Sequence, residues 1–239
     1  MNNNPVIYND PMGDVGIRIE RESKEVARRE LRQFRREIRM LMRNSETFRN
    51  MVSDMKKDGG VTFMARNHAE GGKATVENGR HMISVGIHSD DSKGGGSRNL
   101  YATKVGTIVH EIGHAWMQSH NLEGAAPENI PASILKTFDV FAIHKHNQEA
   151  EKYRNYNERG GSDIGNVVVS EAIKSGSSGL KLQDYYYGGF QARLEINGNK
   201  AIPILDQNLK LNTLSPPHDE HYYMNNKIDI YEQYGVNKR

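Results

Sequence analysis

Thr107-Ile108-Val109-His110-Glu111-Ile112-Gly113-His114-Ala115-Trp116 is the stretch on which the reading of this chain turns. Apolar residues at Ala102, Val105, Val109, Ile112 and Trp116 recur at helical spacing and predict a helix over about Leu100 to His120. At about 100° per residue these side chains share one stripe, while His110 and His114 fall on another side. Residues four apart on a helix are neighbours, so both imidazoles can reach one metal ion. Glu111 lies one step round the helix, near enough to take a proton from a water that the metal acidifies. Gly106 and Gly113 each cost about 1 kcal/mol relative to alanine in a helix interior. Their presence predicts a close approach of sheet or substrate.

Composition narrows the metal and the class. The 239 residues contain no cysteine, so disulfides and thiolate ligands are excluded and any metal must be held by His, Asp or Glu. The length suits one domain with tails. No run approaches the roughly 18 apolar residues of a membrane span, and no basic segment followed by an apolar stretch marks a signal peptide. The net charge of +2 gives no global basic field. Basic residues concentrate between Arg18 and Arg43, interleaved with Glu20, Glu22, Glu25, Glu30 and Glu37, which reads as a solvated, salt-bridged helix.

The rest of the chain is placed around the motif. Residues 1–16 are rich in Asn, Pro, Asp and Gly and read as a linker; 17–239 form the domain. A long helix is expected from about Ile19 to Met42, with Ala27, Leu31, Phe34, Ile38, Leu41 and Met42 facing inward. Ser45 caps a second helix to Lys56, stopped by Asp58-Gly59-Gly60. Strands follow at Val61 to Ala65, Ala74 to Glu77 and Met82 to Ile87, with a turn at Asn78-Gly79. Residues 89–98 read as a Gly- and Ser-rich surface loop. Helix is expected between Pro131 and Tyr156, broken at Gly160-Gly161 and resumed from Ile164 to Lys174. His144-Lys145-His146 reads as a solvated helix face. Gln191 to Ile196 and Lys200 to Leu205 form a hairpin whose second strand is pushed to an edge by Pro203. A last helix runs from Asp219 to Tyr234, ending at Gly235. Helices, then strands, then helices argue an α+β fold.

The motif and its flanks resemble the zincin metallopeptidases. That resemblance implies a small mixed sheet packed on the motif helix and an edge strand that holds an extended peptide, here placed at Met82 to Ile87. It implies Zn2+ as cofactor, held by His110 and His114, with Glu111 as general base. A third protein ligand is required, leaving one position to water. His120 follows His114 at a spacing similar to the metzincin pattern, but Met117 stands where that pattern turns on glycine. Glu171 in Ser170-Glu171-Ala172-Ile173 is a second candidate. The preferred one is Glu220. Asp219 to Tyr231 and the closing Gly235-Val236-Asn237-Lys238-Arg239 resemble the C-terminal segment of bacterial effector zinc proteases, in which an acidic ligand opens a helix. Lys227-Ile228, Tyr231 and Asn237 depart from the Glu-Asn, Arg and Pro of that pattern. His218, His221, Tyr222 and Tyr223 are candidate donors to a tetrahedral intermediate.

Asn3-Asn4-Pro5-Val6-Ile7-Tyr8-Asn9-Asp10-Pro11-Met12-Gly13 resembles the junction that closes an Rhs/YD-repeat core. The resemblance implies a C-terminal toxin, a secreted effector released from its Rhs shell, acting on a protein substrate in the target-cell cytoplasm. A cognate immunity protein would guard the producer. Neither nucleic-acid binding nor stable membrane insertion is expected on this reading. The alternatives are a non-proteolytic toxin binding nucleic acid or membrane through the basic N-terminal helix, and a domain whose metal site is purely structural.

Overall fold

The computed structural model describes residues 16–67, 71–87, 104–120, 140–183, 185–187, 191–197, 200–206, 212–214 and 218–236. It is a mixed α+β structure. A four-stranded sheet carries β1 (Ile17–Arg21), β2 (Val61–Arg66), β3 (Gly72–Glu77) and β4 (Arg80–Gly86) in the order β1-β2-β4-β3. β1 and β4 run parallel to β2, and β3 is antiparallel to β4. Among the described residues the helices are α1 (Arg28–Asn44), α2 (Glu46–Lys57), α3 (Lys104–Ser119), α4 (Val140–Lys174), α5 (Glu220–Asn225) and α6 (Lys227–Gln233).

The expected long N-terminal helix is shorter than its periodicity suggested. Its first segment is β1, where Ile17 and Ile19 alternate with Arg18 and Glu20 and pair with Val61 and Phe63. A strand before the helices makes the sheet mostly parallel, because the α1–α2 pair becomes the crossover from β1 to β2. Phe34, Ile38 and Leu41 of α1 are buried as expected, whereas Leu31 and Met42 are half-buried and Ala27 is exposed. Ser45 caps α2, its hydroxyl accepting from the Phe48 N–H.

The β3–β4 hairpin turns at Asn78 and Gly79, which both hold positive φ, 51° and 72°, as a tight two-residue connection requires. This hairpin corrects the placing of the edge strand. Met82 to Gly86 belong to β4, an inner strand that ends just before Ile87, and the free edge on this side is β3.

α3 packs against β3 and β4 on one side and against α4 on the other. Every described side chain from Val105 to Met117 is buried. The expected single apolar stripe is therefore only part of its buried surface. α4 runs unbroken through Gly160-Gly161, where a break was expected. The reason is space. A Cβ on Gly160 would stand 2.8 Å from Met117 Cε, and a Cβ on Gly113 would stand 3.0 Å from the Gly161 carbonyl oxygen. The glycines weaken the helix locally and let α3 and α4 cross closely.

β6 (Gln191–Asn197) and β7 (Lys200–Asp206) form the expected hairpin, with Pro203 opposite Leu194. β5 (Tyr185–Tyr187) pairs with β8 (Asn212–Leu214). The expected last helix is two short ones, broken at Asn226 and closed by Gly235 at φ 61°. Residues 1–15, with the junction segment, and the 89–98 loop lie outside the described residues.

Candidate metal centre

His110 and His114 stand on the face of α3 that meets α4, 2 % and 8 % exposed. Their Nε2 atoms are 2.9 Å apart, with the rings edge to face. The third group in this cluster is Glu158 of α4, whose Oε2 is 3.3 Å from His110 Nε2. Among the described residues, His110, His114 and Glu158 are the His, Asp or Glu side chains that converge as a possible metal set, all three ligand atoms within 4.8 Å.

The donor set fits zinc. Two imidazoles and one carboxylate are a known ligand set for a catalytic zinc, leaving a fourth position open. Tetrahedral zinc at its usual bond lengths holds neighbouring ligand atoms roughly 3.3 Å apart. The His110–Glu158 separation already has that value, and the imidazole pair needs to open by a few tenths of an ångström.

Ser162, one turn beyond Glu158, brings its Oγ to 3.3 Å from His110 Nδ1. With Nε2 turned to a metal, Nδ1 carries the proton and donates to the serine, which fixes the tautomer and the ring plane. Gly161 lies between these two α4 residues. A Cβ there would stand 2.9 Å from His114 Nε2 and 3.1 Å from His110 Cε1, so glycine lets the α4 backbone lie directly against both rings.

The far side of α4 is held by the C-terminal helices. Tyr234 OH donates to Asp163 Oδ2 at 2.6 Å, and Tyr223 OH reaches Oδ1 at 3.4 Å. Burial, reinforced by the Asp163 carboxylate, holds the Tyr234 phenol well above its ordinary range, so it remains a donor. The last helices thus brace the segment that carries Glu158 and Ser162.

Glu111 is buried on the sheet side of α3, 7 % exposed. It leans on the first residue of β3: a Cβ on Gly72 would overlap Glu111 Cγ and stand 2.7 Å from Oε1. The carboxylate therefore lies where the motif helix meets the free sheet edge.

The three residues expected to supply the third ligand stand elsewhere. Glu220 is exposed in the first turn of α5 and is not among the three groups that converge, His110, His114 and Glu158. His120 stays on the helix end, its Nδ1 2.9 Å from the Trp116 carbonyl oxygen, because α3 continues through Met117 to Ser119 without the turn a metzincin spacing needs. Glu171 is engaged in the core. Its carboxylate accepts from Ser45 Oγ at 2.6 Å, Thr47 N–H at 2.8 Å, Thr47 Oγ1 at 2.9 Å and Lys227 Nζ at 3.3 Å. It closes the N-terminus of α2 against α4 and α6. His218, just before α5, stacks on Tyr222 with ring centroids 3.5 Å apart, and His221 Nε2 of α5 is 2.8 Å from Asn225 Nδ2; both histidines are exposed. Tyr223 is buried on Asp163. Lys145 is exposed, as a solvated face predicts.

Glu158 was missed because the sequence reading ended a helix at Gly160-Gly161. Its signal was present: Glu158 and Ser162 are four apart and flank the glycine pair, so they share a face if the helix continues. Comparison with protein-family models, with curated proteins and with solved structures finds no match for this chain.

Proposed function

We propose that this chain is a zinc-dependent endopeptidase of zincin type, with His110, His114 and Glu158 as metal ligands and Glu111 as general base. The observation that carries the reading is the convergence of Glu158 on the two motif histidines, with Glu111 on the same helix. Further support comes from the sheet, whose antiparallel edge strand begins beside Glu111.

Zinc bound there would supply a Lewis acid that polarises a carbonyl and makes a water a nucleophile near neutral pH. The protein's own groups do the rest. Glu111 takes the proton from that water and returns it to the leaving amine. Ser162 holds His110 in one tautomer. Gly72 leaves room for the Glu111 carboxylate beside the sheet edge.

A purely structural metal site is the weaker reading. Such sites are usually closed by four protein ligands, and a carboxylate placed like Glu111 has no task in them. Among the described residues three groups converge.

The proposed biological role is that of a toxin domain delivered from an Rhs-type shell to a target cell, where it cuts a protein. This part rests on residues 3–13 and their Asp10-Pro11-Met12-Gly13 ending. One experiment addresses both parts. Glu111→Gln keeps both imidazoles and Glu158, so it is expected to bind one zinc per chain and to lose hydrolysis and toxicity by about 10²–10⁴-fold. Toxicity equal to wild type at matched expression would overturn the peptidase reading.

A further inference from the structure

The start of α1 changes the charge balance read from the sequence. Glu20 lies in β1, and Glu22 and Glu25 lie in the connection, where Glu22 pairs with Arg66 and Glu25 accepts from Asn67. Three of the five glutamates that were expected to offset the arginines are thus off the helix. α1 itself carries seven arginines against two glutamates, and no lysine. Of the two, Glu30 Oε2 accepts from the Ala27 N–H and Glu37 Oε1 from Gln33.

The arginines are arranged, not merely numerous. Phe34, Ile38 and Leu41 point into the core. At about 100° per residue, Arg29, Arg32, Arg36 and Arg39 fall together on roughly the opposite side. With Arg35 they line a cavity of about 460 Å³. Arg35 is half-buried, its Nη2 3.4 Å from the Ile19 carbonyl oxygen, which ties one wall of the cavity to β1. Arg28–Arg32, Arg32–Arg36, Arg35–Arg39 and Arg39–Arg43 are like-charge pairs at i,i+4 spacing, which disfavour the isolated helix. A face designed only for solvation would alternate signs.

We propose that this cavity binds a compact ligand carrying several phosphate groups. Arginine presents a planar fork of donors that matches phosphate oxygens two at a time, and lysine does not. The cavity is open to solvent along the helix, and its volume is in the range of a small-molecule site, which suits a compact ligand. Among the described residues the lining side chains are all arginines, so the site favours density of negative charge. It lies on α1, apart from the His110–His114–Glu158 cluster between α3 and α4, and the inference is independent of any peptidase activity.

The test is calorimetric titration of the full chain with inorganic tripolyphosphate. Tripolyphosphate chelates divalent cations, so the protein is stripped of metal and freed of chelator beforehand. Saturable binding of one equivalent is expected, weakened at least about tenfold in Arg32→Gln/Arg36→Gln. Both positions are exposed, and circular dichroism confirms that the variant is folded. Lys73→Gln/Lys174→Gln, which removes the same charge from exposed positions elsewhere, is expected to keep the affinity. Absence of saturable binding up to about 1 mM ligand would overturn the proposal. So would equal weakening by the lysine pair, which means a general charge effect. Tighter binding of a single-stranded RNA oligonucleotide, or of phosphatidylserine vesicles, than of tripolyphosphate would also overturn it, in favour of a polymer or a membrane surface.

Discussion

Gly113 and Gly161 face each other where the motif helix crosses α4, and a Cβ on Gly113 would come 3.0 Å from the Gly161 carbonyl oxygen. The contact sets the distance between the two helices that carry the candidate ligands. It also explains why a glycine pair sits inside a long helix, at a cost of about 1 kcal/mol per residue relative to alanine. Gly161→Ala places a methyl 2.9 Å from His114 Nε2. The rings must then turn away from Glu158. Zinc affinity, measured by competition with a chromogenic chelator, is expected to fall about 10–100-fold while the far-ultraviolet spectrum stays native. Unchanged affinity would show that the α3–α4 spacing does not position the imidazoles.

Gly72 tests the other side of the motif. An added Cβ there meets the Glu111 side chain and leaves the His pair alone. Gly72→Ala is expected to retain full zinc content and to lose at least about tenfold in hydrolysis, since a displacement near 1 Å at a reacting group costs up to about 10²-fold. Loss of zinc in this variant would place Gly72 with the ligands instead.

His110, Glu111 and His114 were legible because their geometry is local: four-residue spacing on one helix needs no tertiary information. The ends of α2, the β3–β4 turn and the β6–β7 hairpin were legible for the same reason, through Ser45, Asn78-Gly79 and the sequence around Asn197. What was not legible depended on packing. The end of β1 merged with α1 because the helix was started at Ile19; Ile17 and Ile19, two apart, would lie on opposite sides of a helix, and their pairing with Val61 and Phe63 of β2 makes the segment a strand. Glu158 could not be matched to His110 across 48 residues until Gly160-Gly161 was seen to be a helix crossing rather than a helix end. The C-terminal segment was read for a ligand at Glu220, which stands exposed outside the His110–His114–Glu158 cluster, while the same segment buries Tyr223, Tyr231 and Tyr234.

Three glutamates separate ligand from scaffold. Glu158→Ala removes one of three converging donors and is expected to lower zinc affinity by about two orders of magnitude. Glu220→Ala, at an exposed helix start, is expected to leave one zinc bound. Glu171→Ala strips partners from Ser45, Thr47 and Lys227 and is expected to cost about 2–4 kcal/mol of stability in denaturant titration. Its folded fraction should still bind zinc. Zinc retained by Glu158→Ala and lost by Glu220→Ala would return the third ligand to the C-terminal helix.

The acid limb of stability should report His81. This residue of β4 is 3 % exposed, and its Nδ1 has no hydrogen-bond partner. Burial lowers its pKa below the ordinary imidazole value, and the Asp58 charge offsets only part of that effect. Above pH 6.5, the ordinary value, the side chain is neutral in both the folded and the unfolded chain and adds no pH dependence. As pH falls through 6.5 the unfolded chain takes the proton first, so stability decreases until the lower folded pKa is reached and then levels off. The comparison is made on metal-free protein between wild type and His81→Gln. Their difference in thermal midpoint is expected to be constant above pH 7 and to shift in favour of the variant below pH 6, because glutamine carries no proton-linked penalty. A difference that stays constant across the whole range would mean that His81 takes up its proton as readily folded as unfolded, and that water reaches Nδ1 in the native sheet.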